Sequence, residues 1–319
     1  FKEGIENVKS EEEICEELGN VEEIRQAFLD ENPAAMTINV NSNSDAVGNS
    51  DIYNRFYPGI QRVNAQLIDA NIEIKKSSTN DVELSVTGGL ADDMEALKET
   101  LRVSASVGTL LIQQEKKAGI SVSYAASRLF GIKVGKYSAR IVIHIAVPEQ
   151  FEKIEVKSIS GDIKANNSNA KTLLIHTGSG DVGVEDCQAD ELFASSISGD
   201  VNVIACKADK MDIVSVSGDI KVEFDKSAQC RAKSTSGDCK VTIGNQVDAV
   251  VSSTSGDVSV RYIGEIGLEM ALSSTSGDVS AVCGGINSKG KKKVQECFGD
   301  PDSKLKVSTI SGDIKIRDC

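Results

Sequence analysis

The tripeptide Ser-Gly-Asp recurs eight times in the carboxy-terminal half of this 319-residue chain, ending at Asp162, Asp181, Asp200, Asp219, Asp238, Asp257, Asp278 and Asp313. Its glycines, from Gly161 to Gly312, lie 19, 19, 19, 19, 19, 21 and 35 residues apart. A period of this length marks a repeat architecture, in which each copy is one supersecondary unit stacked on the next. Two positions after the glycine stand Ile163, Val182, Val201, Ile220, Cys239, Val258, Val279 and Ile314, and five before it stand Val156, Ile175, Ala194, Ile213, Ala232, Val251, Leu272 and Val307. Further valines, such as Val184, Val203 and Val222, follow two residues on. Alternation with period two and β-branched content are strand properties and exclude a helix. Each repeat reads as strand, bend, strand and return turn, and the chain as a mainly β parallel β-helix, or β-solenoid.

One rung cannot bury its apolar face alone, so stability is expected from stacking, each strand pairing with its counterpart one repeat away. Eight rungs at about 4.8 Å give a stack of roughly 40 Å whose open ends need covering. Less regular strands at Ala70–Lys75, Asp81–Thr87, Leu101–Val107 and Arg140–Val147 are expected to cap or extend it. Glycine at the bend allows positive φ and close approach of neighbouring turns. The eight aspartates form a ladder of like charges, repelling by roughly 1 kcal/mol per pair in water. They are expected to cap turns through backbone hydrogen bonds; weak cation binding and ligand contact are the alternatives.

With 40% apolar residues, 4% aromatics, no Trp and four Pro, the composition suits narrow coils packed with small aliphatic side chains. The formal charge of −13 argues against nucleic acid as a partner, because its backbone would repel the average surface. No apolar run is long enough to span a membrane and no secretory signal is visible, so a membrane tether would have to come from a missing segment. The chain opens on Phe1 rather than Met, so an upstream segment is expected. Of eight cysteines none forms a metal spacing. Cys230 and Cys239 read as buried free thiols, whereas Cys187 and Cys206 share a register in adjacent rungs, which leaves a disulfide between them open. A largely thiol-bearing chain points to the cytoplasm, with the cell surface as the alternative.

The segment ARIVIHIAVPEQFEKIEVKSISGDIKA and the SGDV and SGDI rungs after it resemble the bacterial putative-adhesin family, a β-strand-repeat domain of unknown function, over roughly Ile60 to Cys319. The resemblance implies a right-handed, single-stranded β-helix and an adhesin-like role, and supplies no catalytic residues. Residues 1–31 differ in kind: Ser10 with Glu13 forms a capping box, Ile14, Leu18, Val21 and Ile24 follow helical spacing, and Gly19 is a helix stop. The stretch KSEEEICEELGNVEEI is similar to part of the helical HAAS domain. The organisation expected is a partial helical module at 1–31, a linker or irregular cap at 32–58, and a solenoid at 59–319 with regular rungs over 154–283 and a final rung at 305–319. The stretch Cys283–Lys306, with Lys289, Lys291, Lys292 and Lys293, reads as a solvated protruding loop, or else as a contact for an acidic polymer.

Parallel β-helices can host polysaccharide lyases and hydrolases, which need carboxylate pairs and groove-building loops. Here the return turns are short, His144 and His176 have no nucleophile motif beside them, and no hydrolase, metalloprotease or nucleotide pattern occurs. No enzymatic activity and no cofactor are expected. Two residues before the bend glycines runs a stripe of Ile159, Ile197, Val216, Thr235, Thr254, Thr275 and Ile310, broken by Gly178. A regular strand would point this stripe outward as a ladder for protein, glycan or self-association; an early bend would tuck it inside, and that second arrangement is the one expected. The leading function is a non-catalytic, adhesin-like or scaffold solenoid. The alternatives are a signalling or envelope-stress accessory protein and a carbohydrate-active enzyme.

Overall fold

Each 19-residue repeat folds as a long strand, a sharp bend at Ser-Gly-Asp and a short strand, as in Gln188–Ser196 followed by Val201–Ile204. The computed structural model describes residues 53–88, 97, 100–115, 141–224, 229–265 and 267–318, all within one compact unit, Ala46–Cys319. The expected helical module at 1–31 and most of the linker at 32–58 lie outside the described residues; the end of that linker, Tyr53–Tyr57, is a strand. Among the described residues the strands form two long sheets, of 13 and 12 strands, so the molecule is a β-solenoid with two strands per coil. The period sets the register: Leu173 pairs with Leu192 in the long-strand sheet, and Val182 with Val201 in the short-strand sheet. Inward side chains of both sheets, such as Leu192, Ala194, Val201 and Val203, join one continuous core. Each stacks on its equivalent a coil away, which is why the core columns are small and aliphatic.

The coils do not stack entirely in chain order. The last one, strands Pro301–Thr309 and Ile314–Asp318, lies between the coil of Asp248–Ser253 and Val258–Tyr262 and the coil of Gly267–Ser274 and Val279–Cys283. The eighth rung is therefore seventh in space. At the other end, Arg62–Leu67 and Asn71–Lys76 stack between the first Ser-Gly-Asp coil and a further coil of Thr109–Gln114 and Ile141–Val147. Antiparallel strands cover both ends: Tyr53–Tyr57, Val82–Gly88 and Leu101–Ser106 at one, Ile286–Lys291 and Lys293–Phe298 at the other. Cys283–Lys306 is thus no loop. Its lysines Lys289, Lys291 and Lys293 are exposed on edge strands, where charge discourages pairing with another chain.

The bend is built by close approach. None of the eight bend glycines has a positive φ, contrary to the expectation from sequence. A Cβ on Gly218 would lie 2.0 Å from the carbonyl oxygen of Gly199, and Gly180, Gly199, Gly237, Gly256, Gly277 and Gly312 meet the glycine of the coil beneath at 1.9–2.1 Å. Three residues before each glycine a buried hydroxyl completes the turn. Ser215 Oγ donates to Gly199 O at 3.1 Å and accepts from Gly218 N at 3.0 Å. Ser196, Ser234 and Thr309 repeat both bonds at their own bends. Such a column satisfies backbone groups that the stack removes from water.

Positive φ appears instead at the return turns, at Asn167 (50°), Asp186 (53°) and Ala205 (54°). Asparagine and aspartate tolerate this left-handed conformation through local hydrogen bonds, whereas alanine bears a cost of roughly 1 kcal/mol. Ala205→Asn is expected to stabilise the protein by about 0.5–1 kcal/mol in urea unfolding, and no gain would place the strain elsewhere.

Candidate binding face

Two surfaces meet along the bend. On one side runs the aspartate ladder, each backbone N–H donating to the carboxylate one coil away. Asp200 N reaches Asp181 Oδ1 at 2.9 Å, Asp219 N reaches Asp200 Oδ1 at 2.8 Å, and Asp238 N and Asp257 N repeat the bond at 2.9 Å. Asp181 N reaches Asp162 Oδ1 at 3.0 Å, and Asn71 Oδ1 starts the ladder by accepting from Asp162 N at 3.0 Å. The inserted coil keeps the sequence of bonds, Asp313 N to Asp257 Oδ1 at 2.8 Å and Asp278 N to Asp313 Oδ1 at 2.9 Å. Among the described residues no coil follows Asp278, and there Lys292 Nζ takes over, 3.3 Å from Asp278 Oδ1 and 2.7 Å from the carbonyls of Ser276 and Gly277. One lysine of the presumed loop therefore caps the ladder electrostatically. Replacing Lys292 by alanine should loosen the final bend by about 1 kcal/mol or less, seen as faster amide exchange confined to residues 275–279.

On the other side lies the outer face of the long-strand sheet. The stripe of Ile159, Ile197, Val216, Thr235, Thr254, Thr275 and Ile310 points outward onto it, Ile159 being 42% exposed and Thr275 exposed, the rest half-buried. The expected inward tuck is wrong for a specific reason. The hydroxyl residue before the stripe turns in to hold the glycine, so the pleat sends the next side chain out. In space Ile310 falls between Thr254 and Thr275, and Ile68 extends the stripe beside Ile159, where Ser160 N donates to its carbonyl.

Four and six residues before the glycines, the same face carries Val214 and, on adjoining strands, Leu174 and Phe193, all half-buried. Together with Ile197 and Val216 they make an apolar patch across three coils. Alternation alone assigns these residues outward, so the patch could have been found by reading the outward columns as closely as the inward ones. Beside it His176 Nδ1 lies 2.6 Å from Ser195 Oγ. Burial, with help from the Lys157 ammonium, holds the His176 ring below its ordinary pKa. The folded protein thus resists a proton that the unfolded chain accepts, so stability should fall as pH drops below about 6.5, and His176→Gln should flatten that slope.

Past the patch the face becomes charged and grooved. A cavity of about 320 Å³ is lined by Lys210, Asp212, Gln229, Arg231, Asp248 and Val250, and one of about 310 Å³ by Asp248, Val250, Glu269, Ala271, Lys304 and Lys306. Among the described residues the buried Asp212 Oδ1 has no hydrogen-bond partner; burial pushes its carboxyl pKa up, against the pull of Arg231, Lys210 and Lys233. His144, in contrast, sits on the short-strand sheet, held by Glu73 at 3.1 Å and Thr87 at 2.9 Å. The two histidines therefore lie on different sheets. Cys187 and Cys206 are buried free thiols. The Cys206 thiol bonding to the Cys187 sulfur lowers the pKa of Cys187 and raises its own.

No curated protein matches the chain. Crystal structures with a similar outline include a putative adhesin from Bacteroides fragilis NCTC 9343, at 16% identity and TM-score 0.44, covering 83% of this chain and 96% of that one. A putative lipid binding protein from Parabacteroides distasonis ATCC 8503 is similar at 17% identity and TM-score 0.41, over 83% and 96%. A putative cell adhesion protein from Clostridium sporogenes ATCC 15579 follows at 12% identity and TM-score 0.25, over 84% and 98%. The profile of one family of stacked β-strand repeats covers residues 60–317, the span of the solenoid from its first complete coil to its last strand, and the chain belongs to that family, Toastrack DUF4097.

Proposed function

We propose that the outer face of the long-strand sheet binds a macromolecular partner, a protein or a glycan chain, without chemical turnover. The observation that carries this reading is the apolar patch of Leu174, Phe193, Val214, Ile197 and Val216, which continues along the sheet into a charged groove. Apolar side chains gathered on the outer face of a sheet favour a surface that is covered in use. Rigid parallel strands present it without an ordering cost on binding.

The test is a glycan array and a panel of purified surface proteins, probed with the labelled wild type and with Phe193→Asp. Phe193 points outward, so the variant should keep its stability to within about 1 kcal/mol. Binding weakened at least tenfold by Phe193→Asp supports the reading. Undiminished binding moves the site off this face, and release of sugar fragments or other products overturns the absence of turnover.

A further inference from the structure

The last coil occupies a slot whose two walls were both made earlier in the chain. Its long strand pairs in parallel with Asp248–Ser253 on one side and Gly267–Ser274 on the other, and its short strand with Val258–Tyr262 and Val279–Cys283. Around the bend the walls are identical in sequence, SSTSGDVS at 252–259 and again at 273–280. Most of the side-chain bonds between the last coil and its neighbours are repeat bonds, Thr309 Oγ1 to Gly256 O, Ser274 Oγ to Gly312 O and the two aspartate contacts; Val247 N to Ser303 Oγ and Gly284 N to Asp318 Oδ2 are added at its ends. None depends on the coil belonging to the same molecule.

The path into the slot is tight. The chain leaves the strand Lys293–Phe298 on the outer side of Gly267–Ser274 and must reach the inner side, two strand spacings or roughly 10 Å away, with only Gly299 and Asp300 between Phe298 and Pro301. Gly299 sits at a φ of 64°. Gly267 lets the crossover pass, because a Cβ there would lie 2.3 Å from Phe298 O and 2.7 Å from Asp300 N. A short crossover under steric pressure, leading to an element whose contacts a second copy could make equally well, is the arrangement in which exchange between copies costs least. In the exchanged form the crossover opens and every coil contact is kept.

The geometry points to the carboxy-terminal coil, Pro301–Asp318, as a donor segment that a second copy of this chain can insert into the same slot, giving a dimer by reciprocal exchange. The exchange surface is distinct from the outer face proposed to bind a partner, so the two readings stand or fall separately.

The test uses the full chain with Cys15, Cys297 and Cys319 replaced by serine. Ser252 and Ser308 face each other across the slot, so one copy carries Ser252→Cys and the other Ser308→Cys. The two are mixed at high concentration, warmed gently, cooled and oxidised. Exchange predicts a disulfide-linked species of twice the mass containing both copies, formed only from the mixture. Gly267→Ala should raise the dimer fraction at least tenfold by obstructing the internal crossover. Inserting Gly-Ser-Gly after Gly299 should lower it at least tenfold by relaxing that crossover, which keeps the test intact if Gly267→Ala does not fold. Absence of the mixed disulfide overturns the proposal.

Discussion

Gly218→Ala is expected to destabilise the protein by about 3–5 kcal/mol, although it adds only a single methyl group. The new Cβ would stand 2.0 Å from Gly199 O and 2.4 Å from its carbon, both backbone atoms in the coil beneath. Neither can move without parting two sheets, so the coils must separate locally and their ladder bonds stretch. Gly183→Ala is the control. Its Cβ meets only the Lys164 side chain at 3.8 Å, and on an extended strand alanine should be neutral or stabilise by about 0.5 kcal/mol. Urea unfolding followed by circular dichroism separates the two, and equal effects would mean that the coils are not in contact at the bend.

Ser215→Ala is expected to cost about 2–3 kcal/mol although it removes a single oxygen. Ser215 is 1% exposed, and its loss strands Gly218 N and Gly199 O where water cannot replace it. Ser215→Thr should cost under about 1 kcal/mol, since Thr177 and Thr309 already do the same work at their own bends. Ser215→Val, which keeps threonine's shape without its hydroxyl, should resemble alanine. If valine is tolerated as well as threonine, the column is there for its volume and the hydrogen-bond account of the bend fails.

The coil and its register were legible from the period alone, because parallel in-register stacking converts a 19-residue spacing directly into pairs such as Val182 with Val201. The direction of the Ile159–Ile310 stripe turns on whether the strand stays regular up to the bend or bends early, and the residues of the stripe do not decide that. The informative column was the neighbouring one, Ser158, Thr177, Ser196, Ser215, Ser234, Ser253, Ser274 and Thr309, in which nothing but a hydroxyl appears. A position that admits only serine or threonine is hydrogen-bonded, and once it is placed inside, the stripe must face out.

The position of the last coil could not be read at all. Both walls of its slot carry the same eight residues, so pairing preferences alone do not distinguish insertion from addition at the end. The difference lies in the crossover past Gly267 and in the antiparallel strands that cover the far side of the seventh repeat. Lys292 was hidden for a related reason, being one of several lysines in a run of which it alone reaches the aspartate ladder.

The most direct test of stacked coils with an inserted terminus is a set of spin-label distances from Ser179, placed at the bend and exposed, to the equivalent serines. With about 4.8 Å per coil, Ser255 should lie roughly 19 Å away, Ser311 roughly 24 Å and Ser276 roughly 29 Å. A regular increase in that order, with Ser311 nearer than Ser276, is the predicted result. Distances that do not grow by one coil spacing at a time, or Ser276 nearer than Ser311, would contradict it.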